Sequence, residues 1–337
     1  MKLLAIILLM TAQGVFAQQF HFKNITSVPD ASFRGLSVID DRVAWVSGSD
    51  GWFSTTTDGG NHWNFRKVKG FEQVDFRSLY AFDAQSAIIA NADAPAYILR
   101  TDDGGQIWKV VYKNEDTAAF FDGIDFWNNH DGIIYGDPIK GIMTILRTED
   151  GGLTWRELPQ LKRPHLAQEE ASFAASGTNI RCLNNNSLII ATGGKVSRLW
   201  TSHNRGADWQ QVKTPIIQGK NTTGVFSVAF QNETTGIIVG GDYKLDSLKT
   251  NNAFYTKNGG KDWLTPSATT GGYRECVEFI DHKTAIATGP GGTDISRDKG
   301  ETWQPLPDEK GFHVIRKSRK GSLIILAGKG RIFIASK

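Results

Sequence analysis

Hydrophobic and polar positions alternate in short runs along nearly the whole chain, and no stretch sustains the 3.6-residue period of a helix. The runs are rich in Val, Ile, Phe and Trp and are broken by Gly, Asp and Asn, the pattern of short strands joined by tight turns. They fall into sets of four, A to D. The first three sets are 33–39, 43–47, 52–56 and 63–68; 76–82, 87–91, 97–101 and 108–112; and 121–127, 132–136, 143–148 and 155–158. The next three are 178–183, 188–192, 198–202 and 209–212; 224–230, 236–240, 253–256 and 263–265; and 273–280, 285–289, 294–296 and 303–306. A last set, 312–317, 323–327 and 331–335, lacks its fourth member.

Between C and D of the first six sets stands one motif, Ser/Thr-x-Asp/Asn-x-Gly-x-x-Trp. It starts at Thr56, Thr101, Thr148, Ser202, Thr256 and Ser296, so the steps are 45, 47, 54, 54 and 40 residues. A period of that size marks a repeat array. The acceptors are Asp58, Asp103, Asp150, Asn204, Asn258 and Asp298, and the aromatics are Trp63, Trp108, Trp155, Trp209, Trp263 and Trp303. Hydroxyl and carboxylate or amide oxygens accept backbone N–H groups in tight turns. The Gly supplies a left-handed conformation, and the Trp opens the next strand with a large apolar surface. Asn at 204 and 258 keeps the acceptor oxygen and loses the charge, which suits a turn and not a catalytic or metal-binding motif.

These eight-residue motifs resemble the Asp-box (BNR) repeat of sialidase-type β-propellers, and the resemblance covers nearly the whole mature chain. The expected fold is all-β: a seven-bladed propeller of four-stranded antiparallel blades. The missing strand of the last blade is supplied by 20–28 at the N terminus, which has no other assignment. Three C-terminal strands plus one N-terminal strand close the ring and remove its exposed edges.

At 337 residues the chain could hold two average domains, but a closed array uses it as one, over 18–337. Met1-Lys2, the apolar run at 3–10 and Val15-Phe16-Ala17 read as a secretory signal peptide over 1–17, cut after Ala17. The run is too short to span a bilayer, and no Cys follows it to take a lipid. The expectation is an exported protein, periplasmic or extracellular, a monomer without stable membrane insertion. Cys182 and Cys276 fall in non-adjacent repeats and are expected as buried thiols. A net charge of +3 with acids and bases interspersed gives no ground for nucleic-acid binding.

The boxes mark one face of a propeller, and the D–A and B–C connections mark the other. Residues that begin the A strands converge there: Arg34, Arg77, Asp122, Phe226, Tyr273-Arg274-Glu275 and His313. The B–C turns add Asp50, Asp93, Asp137, Lys195, Asp242-Tyr243 and Thr293. Two long loops, 159–177 with Glu170 and 242–252, join the same face, and long loops in a compact array tend to carry function. The expected ligand-binding set is Arg34, Arg77, Asp122, Asp137, Glu170, Asp242, Tyr243, Tyr273, Arg274 and His313. The ligand is expected to be a protein segment or a glycan, polar or anionic.

A second reading is carbohydrate hydrolysis by two carboxyl groups flanking a sugar bond, with Asp122, Asp137 and Glu170 as candidates. A sialidase would need an Arg triad and a Tyr–Glu nucleophile pair. Arg34, Arg77 and Arg274 could imitate the first, and Tyr243 or Tyr273 with Glu170 or Glu275 the second. Yet Phe33-Arg34-Gly35-Leu36 lacks the Pro of the sialidase segment, and sialidases have six blades. No phosphate loop, nucleophile elbow or metal-ligand spacing occurs, so no cofactor and no metal is expected. The boxes at 56, 101 and 148 and the channel-lining Arg residues also look like the secreted photosystem II stability/assembly-factor family. That resemblance implies binding or assembly assistance without catalysis, and nothing in the sequence points to a photosynthetic client.

Overall fold

The C–D turns can be followed directly in the computed structural model, which describes residues 21–25, 28–307 and 309–336. In the first box the Thr56 hydroxyl donates to Asp58 Oδ1 at 2.9 Å and accepts the Gly60 N–H at 2.9 Å, while Asp58 Oδ1 accepts the His62 N–H at 3.0 Å. The same bonds recur around Asp103, Asp150, Asn204, Asn258 and Asp298. Where Asn replaces Asp, the residue four further on is an acid, and the freed amide donates to it. Asn204 bonds Asp208 at 2.9 Å and Asn258 bonds Asp262 at 2.8 Å. Gly152 shows why the box needs its glycine. Its φ is +84°, and an added Cβ would stand 2.1 Å from Ile88 Cδ1 of the preceding blade.

Seven antiparallel sheets follow from these turns. Blade 1 holds Phe33–Val38, Ala44–Gly48, Trp52–Thr56 and Asn64–Lys67, and blade 2 holds Ser78–Ala81, Ala87–Ala90, Ala96–Thr101 and Lys109–Asn114. Blade 3 holds Phe121–Phe126, Gly132–Ile139, Ile142–Thr148 and Arg156–Glu157, and blade 4 holds Ile180–Cys182, Leu188–Ala191, Arg198–Ser202 and Gln210–Lys213. Blade 6 is Cys276–Phe279, Ala285–Gly289, Gly292–Ser296 and Gln304–Leu306. In blade 7, Phe312–Lys317, Ile324–Gly328 and Arg331–Ser336 are completed by the N-terminal His21–Asn24, which pairs with the last strand from His21–Ser336 to Asn24–Phe333. The three-plus-one closure is therefore present.

Blade 5 departs from the plain pattern. Thr223–Phe230, Gly236–Asp242 and Ala253–Thr256 are its A to C strands, but the D segment is reduced to a single bridge between Tyr255 and Leu264. On the inner side the sheet gains two short strands, Gly193–Gly194 and Glu170–Ala171. The long 159–177 loop is thus stitched into the propeller through Glu170–Gly194 and Gly193–Gly224 pairing. Its other regular piece is a 3-10 turn at Gln160–Lys162.

The apolar faces of neighbouring blades meet in a series of packed layers. Trp45, Phe53 and Phe76 are fully buried between blades 1 and 2, with Trp108 edge-on to Phe53 at 5.3 Å. Blades 7 and 1 share a layer of Phe33, Val46, Phe312, Ile325 and Leu326. Cys182 and Cys276 are free, Cys276 fully buried and Cys182 partly so. The expected signal peptide lies outside the described residues.

Candidate functional site

A β-bulge turns the start of an A strand toward the axis in four blades. The pairing register skips between Phe33 and Gly35, Phe121 and Gly123, Val225 and Ser227, and Phe312 and Val314. The extra residues are Arg34, Asp122, Phe226 and His313, and a bulge re-aims the side chain it carries. With Arg77 and Glu275 from blades 2 and 6 they stand around the channel toward the face opposite the boxes, Asp122 and His313 set back from its wall. A cavity of about 400 Å³ opens there.

Five of the ten expected residues line this cavity: Arg34, Arg77, Asp137, Tyr243 and Tyr273. Arg34 donates to the Ala175 carbonyl at 2.7 Å and to Glu275 Oε2 at 3.0 Å. The same carboxylate meets His313 Nδ1 at 2.7 Å and accepts the Tyr273 hydroxyl at 3.2 Å. Burial pushes the Glu275 carboxyl up, but the Arg34 charge and the His313 and Tyr273 bonds outweigh it, and the net direction is down. Arg77 is paired with Asp75 at 2.7 Å. Asp137 accepts the Ser172 N–H at 2.9 Å, and burial pushes its carboxyl up to about 6 against that bond.

The other five are placed elsewhere, each for a visible reason. Asp122 is wholly buried and neither oxygen finds a hydrogen-bond partner among the described residues. Burial and the neighbouring Asp137 charge raise its carboxyl well above the ordinary range, with Arg77 opposing. Glu170 is 1% exposed and held by the Thr192 hydroxyl at 2.7 Å, the Trp200 indole at 3.3 Å and the Ala167 N–H at 2.9 Å. It pins the long loop to blade 4. Asp242 is buried, accepting the Lys244 N–H at 3.0 Å with Lys220 at 3.5 Å. Arg274 is buried against Asp294 at 2.6 Å and does not reach the mouth. His313 lies behind the wall, against Glu275. The expected meeting of Arg34, Arg77, Arg274, Asp122, Asp137 and Glu170 therefore does not occur, and no Arg triad forms.

The long loop brings what its sequence did not announce. Phe173 stacks on Phe226 with centroids 3.9 Å apart and planes 9° from parallel. Tyr243 stands edge-on to both, at 6.4 and 6.3 Å, and Tyr273 closes on Phe226 at 4.7 Å. These four rings make an aromatic wall on one side of the cavity, and Phe120, Asp246 and Pro290 complete the rim. Phe226 was legible as the start of an A strand. Phe173 was not, because only the Glu170–Gly194 pairing carries it to the axis.

Known proteins of one kind can be set beside this geometry. Residues 17–115 match the family described as photosynthesis system II assembly factor YCF48. A relative described as photosystem II assembly lipoprotein Ycf48, from Synechococcus sp. (strain CC9902), is 23% identical over 289 residues, covering 85% of this chain and 78% of its own. The solved structure of YCF48 bound to D1 peptide superposes with a TM-score of 0.68 at 17% identity, covering 95% of this chain and 98% of that one. YCF48 from Cyanidioschyzon merolae gives 0.67 at 16% identity over 93% and 98%. The chain is an Asp-box, seven-bladed β-propeller that resembles the photosystem II assembly-factor family.

Proposed function

We propose that this protein is an exported binding propeller that takes a polar protein segment at the channel mouth opposite the Asp boxes and assists its assembly without catalysis. The observation that carries the reading is the pairing of an aromatic wall, Phe173, Phe226 and Tyr243, with the Arg34 and Arg77 guanidinium groups across one cavity. An extended segment can lay an apolar side chain on the rings while its backbone carbonyls or a carboxylate face the cations. Charge decides the finer point. Arg34 and Arg77 already carry Glu275 and Asp75, and Asp137 and Asp246 share the rim. A mouth so balanced fits a segment of mixed polarity better than a multiply charged anion. A relative solved with a peptide bound supports a peptide over a glycan as the partner class.

Hydrolysis is less well served. Of Asp122, Asp137 and Glu170, only Asp137 reaches the cavity, and two carboxyl groups open to the sugar are needed. The test is binding of an arrayed set of extended peptides to the full chain, read by fluorescence anisotropy. Loss of the selected peptides in Arg34→Ala and in Phe173→Ala is the expected outcome. Turnover of fluorogenic glycosides that disappears in Asp137→Asn would overturn the reading.

A further inference from the structure

The opposite end of the channel holds a second polar cluster, built from the far ends of the A strands. Aligned by their bulges or strand starts, the blades place Ser37, Tyr80, Asp125, Arg181, Glu278 and Arg316 at one equivalent position. All six line a separate cavity of about 90 Å³, joined there by Lys317 and by Arg319 from the turn that follows. None of these residues belongs to the mouth described above.

The charges in this cavity do not balance. Three guanidinium groups, Arg181, Arg316 and Arg319, face two carboxylates, Asp125 and Glu278, while Lys317 follows Arg316 on the strand and turns its side chain to the other face. Asp125 is occupied by the backbone N–H groups of Cys182 at 2.8 Å and Phe126 at 2.9 Å, and makes no ion pair among the described residues. Glu278 is shared, at 2.7 Å from Arg181 and 3.5 Å from Arg316. Among the described residues Arg316 otherwise reaches only the Gly177 carbonyl, also at 3.5 Å, the long limit of a hydrogen bond. Lys317 has no hydrogen-bonded partner for its ammonium among the described residues; the exposed Asp41 carboxylate lies near enough to feel its charge. Arg319 is fixed in place, its guanidinium over the Tyr80 ring at 4.5 Å and bonded to the Ser37 hydroxyl at 3.0 Å and the Ala81 carbonyl.

Positive charge left in excess within a small, partly dehydrated space is costly unless an anion answers it. The donors approach from blade 4, from the blade 7 strand and from the turn that follows it, where Arg319 reaches over to blades 1 and 2, so they converge on one end of the channel. That geometry suits a compact ion with oxygens in several directions. We infer that the Asp-box end of the channel is a binding site for a free inorganic oxyanion of the phosphate or sulfate type, held by Arg181, Arg316 and Arg319. Such an ion bridges blades 4, 7, 1 and 2 and so ties the closing blade to its neighbours across the axis.

Titration of the full chain with sodium phosphate and with sodium sulfate, at ionic strength matched with sodium chloride, tests this by calorimetry and by thermal unfolding. The expected result is saturable binding with a rise in unfolding temperature that chloride does not reproduce. Arg316→Gln should weaken binding by about tenfold, and Arg316→Gln/Arg319→Gln should abolish it. The mouth variant Arg34→Ala should bind the ion unchanged. Circular dichroism establishes that each variant is folded, and Arg316→Gln alone carries the test if the double variant is not. No saturable binding, a chloride effect of equal size, or full binding in folded Arg316→Gln would each overturn the assignment. Loss in Arg34→Ala with retention in Arg316→Gln would move the ion to the other mouth and overturn it as well.

Discussion

The Arg34 guanidinium of blade 1 donates to the Glu275 carboxylate of blade 6 at 3.0 Å, reaching past blade 7 at the mouth of the channel. Its side chain is 17% exposed and that of Glu275 is 6% exposed, so the pair sits where solvent screens it little. Removing one partner of such a pair strands a buried charge. Arg34→Ala should therefore cost about 2–3 kcal/mol, less than the usual loss because His313 and Tyr273 still hold Glu275. Urea unfolding at neutral pH measures it, and a cycle with Glu275→Gln isolates the pair.

The same carboxylate sets an acid limb. Its folded value lies below its ordinary value of 4.5, so its stabilising contribution is whole above that value and is lost as pH falls through the folded one. Unfolding free energy should drop below pH 4.5 in the wild-type chain and drop less steeply in Glu275→Gln. Equal slopes would remove Glu275 from the account of acid sensitivity.

Asp137 works in the opposite direction. Its carboxyl is raised from 3.8 to about 6, so its contribution is whole below the unfolded value and is lost as pH rises through the folded one. Asp137→Asn should gain about 1–3 kcal/mol over the wild type at neutral pH and nothing below about pH 4. Denaturant titrations at the two pH values separate this from a uniform packing effect.

The fourth box offers a test of turn chemistry. Asn204 donates to Asp208 at 2.9 Å, whereas in the third box Thr154 donates to Asp150 at 2.6 Å. Asn204→Asp sets two carboxylates against each other and should cost about 1 kcal/mol. Asn204→Asp/Asp208→Thr rebuilds the third-box arrangement and should recover most of that loss. A double variant no better than the single would leave the acid at 208 unexplained.

Ring closure is the last target. Deleting residues through 27 removes His21–Asn24 and bares the Arg331–Ser336 edge it pairs with. An open strand edge recruits other chains. The truncated protein should unfold at lower temperature and should self-associate on size-exclusion chromatography, where the longer chain elutes as one species.

The sequence by itself determined the ring. Ser/Thr, Asp/Asn, Gly and Trp at fixed spacing are local chemistry, since the hydroxyl, the acceptor and the left-handed Gly all act within eight residues, as they do from Thr56 to Trp63. Six such turns number six blades, and 20–28, left without a partner, could complete only the seventh. Tertiary structure decided which residues at the mouth are available. Arg274 and Arg34 read alike at the start of an A strand, yet Asp294 buries the first, while the blade 1 bulge turns the second into the cavity. Asp122 and Asp137 read alike as carboxylates, yet one has no access to solvent and the other lines the cavity. Pairing partners and solvent access are set by segments far away in the chain, and no local pattern encodes them. For the same reason Phe173 reached the mouth unannounced. Its place depends on a two-residue strand laid against blade 5.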